Sequence, residues 1–136
     1  MDELEEIRAR KVQTYWNEMK PPTVTLERKI PNSPIEITDE NFASMIQDYD
    51  FLVVDCWAPW CGPCRMLSPV IDELARDYEG EVVFGKLNTD KNRGVATEFG
   101  IMSIPTILLI KKGRLVDKIV GAVPKEVIES KLGKYI

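Results

Sequence analysis

The hydrophobic positions of this chain change period along its length, and the changes mark out its elements. Apolar residues recurring every three or four positions imply a helix with one buried face, whereas alternation or a short unbroken apolar run implies a strand. Residues 35–37 (Ile-Glu-Ile) predict a short strand, followed by a helix opening at Thr38-Asp39 with Phe42, Met45 and Ile46 on one face. The run 51–57 (Phe-Leu-Val-Val-Asp-Cys-Trp) predicts a buried strand, and a helix then extends to about Tyr78. A strand over 81–87, a helix over 93–99 and strands over 106–111 and 114–120 come next. The last two are joined by Lys112-Gly113, which has the chemistry of a two-residue hairpin turn. Pro124, favoured in a first helical turn, starts a final helix to about Lys134. The expected fold class is therefore α/β: a mixed central sheet, parallel first and antiparallel last, with helices on both faces.

Residues 1–34 read differently. Residues 2–19 are rich in Glu, Arg, Lys and Ala, carry apolar Leu4, Ile7, Tyr15, Trp16 and Met19, and place Glu6 one turn before Arg10. A surface helix is expected there. Pro21 ends it, and Pro22, Pro31 and Pro34 make the rest a linker, with residues 23–26 extended. The chain thus divides into an N-terminal helical extension, 1–34, and one domain, 35–136. The extension holds six acidic and six basic residues, so the net charge of −4 belongs to the domain.

Composition excludes more than it identifies. A net negative charge gives no electrostatic reason to expect nucleic acid, and Lys111-Lys112-Gly113-Arg114 reads as a solvated turn. No apolar run approaches the ~20 residues that a membrane helix needs, and the acidic start Met1-Asp2-Glu3-Leu4-Glu5-Glu6 is no secretory signal. Three cysteines without scaffold spacing argue against a stapled secreted domain, so a cytosolic, cytoplasmic location is expected. In that compartment a close cysteine pair points to catalysis or metal binding rather than to structure.

That pair lies in Trp60-Cys61-Gly62-Pro63-Cys64-Arg65, between the strand ending at Trp57 and the helix after it. Helical residues three apart have neighbouring side chains, within the span a disulfide bridges. Cys61 falls at the helix mouth, where unpaired N–H groups and the helix dipole favour a thiolate, the nucleophilic form. Cys64, one turn in, should face the interior and stay protonated until it is needed. Cys61 would attack a partner's disulfide, and Cys64 would resolve the mixed disulfide. Gly62 allows close backbone approach, and Pro63 stiffens the first turn.

Asp55 is the second signal, a carboxylate inside a strand that should be buried. Alternation puts it on the face of Val53 and Trp57, opposite Cys56. Two roles stay open: a proton acceptor for Cys64, or a structural carboxylate. Lys86 in the neighbouring strand is either its counter-charge or a surface lysine. Pro105, at the head of an apolar strand, is strand punctuation or something more. Trp57 and Trp60 flank the loop, each either core or contact surface, and Cys56 reads as a buried, inert thiol.

Taken together these residues resemble the thioredoxin family. The likeness rests on Val54-Asp55, on Trp57-Ala58-Pro59-Trp60-Cys61-Gly62-Pro63-Cys64-Arg65-Met66 with Pro69 beyond, and on Lys86-Leu87-Asn88-Thr89-Asp90. It continues through Gly100-Ile101-Met102-Ser103-Ile104-Pro105-Thr106 and Val120-Gly121-Ala122, covering about residues 35–136. The resemblance implies the thioredoxin fold, a redox-active Cys61–Cys64 disulfide, and protein disulfide reduction with electrons passed from a thioredoxin reductase to disulfide-containing client proteins. It further implies a cis Pro105 against the disulfide and an Ile104 backbone offered to a substrate strand. Trp60, Gly62, Pro63, Gly121 and Ala122 would complete an apolar groove, and Pro69 would kink the active-site helix. No bound cofactor, no metal, no membrane and a monomer are the matching expectations. Cys56, Arg93 and Phe99 depart from the family pattern, and the extension has no counterpart in it.

Two other functions compete. Metal binding through the cysteine pair lacks ligands, because the chain has no histidine and a single further cysteine. A binding module, in which the extension recruits a partner and redox activity is secondary, rests on the extension alone. That segment could pack on the domain, mediate dimerisation, select clients or remain a solvated tail.

Overall fold

Strand β2 (Phe51–Trp57) lies at the centre of the sheet, and its apolar run suits that place: all its residues but Trp57 are buried. The computed structural model describes residues 31–136, and around β2 it arranges a five-stranded sheet in the order β1-β3-β2-β4-β5. Strands β1 (Ile35–Ile37) and β2 both run parallel to β3 (Val83–Asn88). Strand β4 (Thr106–Lys111) is antiparallel to β2, and β5 (Arg114–Val120) is antiparallel to β4. The hairpin turn is Lys112-Gly113, with φ of 52° and 79°, the two left-handed residues that a type I′ turn requires. The mixed sheet is the one that the patterning predicts.

Alternation along β2 sorts the core into two layers. Phe51 and Val53 join one cluster with Leu67, Ile71 and Leu74 of α2 (Gly62–Asp77) and Ile128 and Leu132 of α4 (Lys125–Leu132). Leu52, Val54 and Cys56 join the other, with Phe42 of α1 (Phe42–Asp48) and Val95 of α3 (Arg93–Glu98). Helices therefore cover both faces, two on each. Helix α2 spaces Cys64, Leu67, Ile71, Leu74 and Ala75 along one buried stripe, which fixes how its first turn meets the sheet.

Three boundaries differ from the expectation. Helix α1 starts at Phe42 rather than at Thr38-Asp39. Thr38 and Asn41 exchange side-chain bonds with each other's amides (2.7 and 3.1 Å), closing a turn ahead of the helix. Asp39 is used elsewhere: its carboxylate accepts from the amides of Gly94 and Val95, both at 2.9 Å, and so caps α3 from across the fold. Strand β3 begins at Val83 because the amides of Glu81 and Val82 turn back to the Tyr78 carbonyl. Pro124 is the N-cap of α4 rather than part of its first turn. The expected helix over 2–19 and most of the linker lie outside the described residues.

Candidate active site

The C-terminal ends of β2 and β3 and the start of β4 meet at one edge of the sheet, and the candidate residues leave from there. Cys61 is the N-cap of α2, its backbone extended (φ −90°, ψ 112°) and its sulfur accepting from the Cys64 amide at 3.2 Å. The two cysteines form a disulfide, with Cα atoms 5.3 Å apart. Both are buried, including Cys61, although it sits at the mouth of the helix. Pro63 occupies the first turn, where its missing N–H has no intrahelical partner to lose. Gly62 and Pro63 are exposed, and a side chain at Gly62 would meet open space. The loop before them is tied down by the Arg65 guanidinium on the Pro59 carbonyl at 3.0 Å. Pro69 lies inside α2, where it removes one helical N–H.

Asp55 and Lys86 are register partners in the parallel pair β2–β3. Asp55 is 1% exposed and its Oδ1 has no hydrogen-bond partner among the described residues. Burial pushes its carboxyl up to about 7, the Lys86 charge pulls it down, and the Asp72 charge pushes it up again. A cavity of about 180 Å³ joins Asp55 to Cys64, Ser68 and Lys86. The Lys86 ammonium donates to the Ser68 hydroxyl and lies 3.7 Å from the Asp72 carboxylate. Lys86 is thus half-buried at the cavity mouth and shares its charge between two carboxylates.

The Ile104–Pro105 peptide is cis, as the resemblance implies. Pro105 is buried, and its carbonyl accepts from the Gly121 amide at 2.8 Å. Gly121 has φ of 101°, a left-handed conformation that only glycine adopts freely. This bond and the Thr106–Val120 register bring the loop at Gly121 beside the loop at Pro105. Thr106 in turn pairs with Cys56, two strands from Lys86. Ala122 is exposed and lines neither this cavity nor the groove beside Trp60.

Of the two readings open for Trp60, core or contact surface, its position excludes the core. The residue is 68% exposed, and its indole N–H donates to Asp90 Oδ2 at 3.0 Å. With Ile104 it borders a groove of about 680 Å³, whose far wall is made by α3 and the Ile101-Met102-Ser103 loop. Trp57 is half-buried, and Cys56 is wholly buried with its thiol pushed up to about 12, by burial first and then by the Asp55 charge. Sequence reasoning missed Ser68, Asp72 and the α3 wall. Ser68 lies one turn beyond Cys64 on the same helix, a spacing that could have singled it out. The Trp60–Asp90 bond spans 30 residues and has no local signal.

Among the described residues, no three His, Cys, Asp or Glu side chains gather in a cluster that could hold a metal ion. No helix there is long and apolar enough to cross a membrane. The family model described as Thioredoxin matches residues 33–134. A thioredoxin of Chlorobaculum thiosulfatiphilum is 54% identical over 102 residues, which cover 74% of this chain and 94% of that one. A thioredoxin of Porphyra purpurea is 50% identical over 102 residues, covering 74% and 95%. Among solved structures, a single-site mutant of a thioredoxin from Halobacterium salinarum matches with a TM-score of 0.73 and 28% identity, covering 78% of this chain and 93% of that one.

Proposed function

The chain belongs to the thioredoxin family and is a disulfide-reducing oxidoreductase, and on that premise we propose how its residues divide the work. Cys61 is the attacking thiol. Its thiolate displaces one sulfur of a client disulfide, forming a Cys61–client mixed disulfide and releasing the other client sulfur as a thiolate. Cys64 gives its proton to Asp55, and the resulting thiolate attacks the Cys61 sulfur. That step forms the Cys61–Cys64 disulfide and frees the client's second thiolate. The observation that carries this reading is Asp55: a buried carboxyl, one oxygen of which has no partner among the described residues, sharing a small cavity with Cys64. A base held near pH 7 both takes and returns a proton at working pH. Lys86 acts as the counter-charge that keeps Asp55 from rising further.

Trp60, Gly62, Pro63, Ile104, Pro105, Gly121 and Ala122 are proposed as the surface that a client strand lies on. The exposed Gly62, the exposed Trp60 and the Gly121 amide on Pro105 support it. Members of this family generally work with a thioredoxin reductase and with disulfide-bearing clients. We assign the same donor class here, in the cytoplasm, because reducing chemistry belongs to a compartment that keeps thiols reduced. The family match starting at residue 33 supports a domain boundary near Pro34, with 1–34 as an extension.

The test is reduction of a protein disulfide with dithiothreitol as electron source. Cys61→Ser should lose at least about 10³-fold in turnover, and Cys64→Ser should accumulate covalent mixed disulfides with the client. Full activity of the Cys61→Ser protein would remove Cys61 from the attacking role.

A further inference from the structure

The groove beside the reactive pair has a chemical polarity that the redox mechanism does not use. It starts at Trp60, the residue before Cys61, and takes in Ile104, the residue before Pro105. Its wall carries Ala96, Ile101 and Met102, and Met102 is 93% exposed. An apolar surface this open, next to a nucleophile, suits a segment of another chain better than a small molecule.

Two charged residues line the groove, and they differ in freedom. Asp90 is engaged, with Oδ2 accepting from the Trp60 indole. Arg93 is the one cation among the described residues that line it, and its guanidinium has no hydrogen-bond or ion-pair partner there. The groove is therefore negative where it meets Trp60 and positive at the first turn of α3. Arg93 is also well anchored through its backbone. The next two amides, Gly94 and Val95, are held by the Asp39 carboxylate, and Asn92 accepts from the Asp39 amide at 2.9 Å. A fixed base with a free planar fork of donors is the arrangement that recognises a carboxylate with two parallel bonds.

We infer that Arg93 selects clients, favouring disulfides whose attacked cysteine is followed or preceded at short range by an acidic side chain, with apolar residues between. This rests on the reading that the site reduces client disulfides. A carboxylate close to the cysteine would meet Asp90 and be disfavoured. One a few residues away would reach Arg93.

The test uses the full chain, fully reduced, in single-turnover reactions with three sets of short disulfide peptides. Each set varies one position, two, three or four residues from the attacked cysteine, as Glu, Gln or Lys. At one of these positions the wild type should reduce the Glu peptide about fivefold faster than the Lys peptide, the scale of one partly exposed ion pair against its like-charged counterpart. High salt should shrink the gap. Arg93→Gln should level the ratio and Arg93→Glu should invert it, with circular dichroism confirming that both variants fold. Equal rates for Glu, Gln and Lys peptides in the wild type would overturn the inference while leaving disulfide reduction intact. A preference that survives both substitutions would overturn it too. Reduction of none of the peptides would instead remove the reductase reading on which it depends.

Discussion

Asp55 and Cys56 are consecutive, equally buried and both pushed towards their neutral forms, yet they sit in opposite layers of the molecule. Asp55 faces the α2 layer and opens onto a cavity with Cys64, Ser68 and Lys86. Cys56 faces the α1–α3 layer, packed with Leu52, Val54, Leu87 and Val95. Burial is the leading cause of both shifts, so burial alone does not make a functional group. What separates the two is access: one shares a cavity with a reaction partner, and the other is wholly buried in an apolar cluster.

The sharpest way to break this comparison is to ask which thiol reacts. With the Cys61–Cys64 disulfide reduced, Cys61 should be alkylated by iodoacetamide at pH 8, while Cys56 should react at least about 10³-fold more slowly until the protein unfolds. Peptide mapping of the alkylated protein checks this. Comparable labelling of Cys56 in the folded state would show that its layer opens, and the contrast between the two faces would fail.

The next largest effect lies on the Asp55 side. Asp55→Asn leaves an amide of the same shape that cannot accept the Cys64 proton, so decay of a Cys61 mixed disulfide at pH 7 should slow by about 10²-fold. The same variant should change stability with the opposite sign. In the native state the carboxyl titrates at about 7 against 3.8 for the free group. Between those values the folded protein holds a proton that the unfolded chain has lost. Stability of the disulfide form should therefore fall as pH rises from about 4 and level off above about 7, a loss of about 4 kcal/mol from this group. Denaturant unfolding at several pH values should show that slope in the wild type and its absence in Asp55→Asn, which should be the more stable protein at pH 8.

Much of this contrast was legible in the sequence, because it depends on local period. A strand's alternation separates Asp55 from Cys56 without any tertiary information. Apolar runs set β2 and β4 at their observed limits, and the Lys112-Gly113 turn and Gly121 bracket the more polar β5. Gly62 and Pro63 placed Cys61 at the helix mouth by backbone chemistry alone. What stayed hidden are polar partners brought together by the fold. Asp39 looked like the start of its own helix, yet its carboxylate serves α3, 55 and 56 residues away. Trp60 could be core or surface by its own position, and nothing local tells that Asp90 gives its indole a partner on the surface. Polar side chains satisfy themselves wherever the chain brings a donor or acceptor, and residue type does not say which one.

The smallest predicted effect separates the two charges that flank Asp55. Lys86 lowers the Asp55 carboxyl and Asp72 raises it. Lys86→Gln should therefore move the pH midpoint of mixed-disulfide decay upward, and Asp72→Asn should move it downward. Each shift should stay below about one pH unit, because Asp72 is partly exposed and Lys86 is already bonded to Ser68. At pH 7 this means decay roughly two- to threefold slower in Lys86→Gln and a little faster in Asp72→Asn, with all rates converging near pH 9, where Asp55 is ionised in every variant. Opposite displacements would place both charges in the electrostatic environment of Asp55. A shared direction, or a midpoint that stays put in both, would mean that Asp55 is set by burial alone, and the two layers would then differ only in the access that Cys64 has to it.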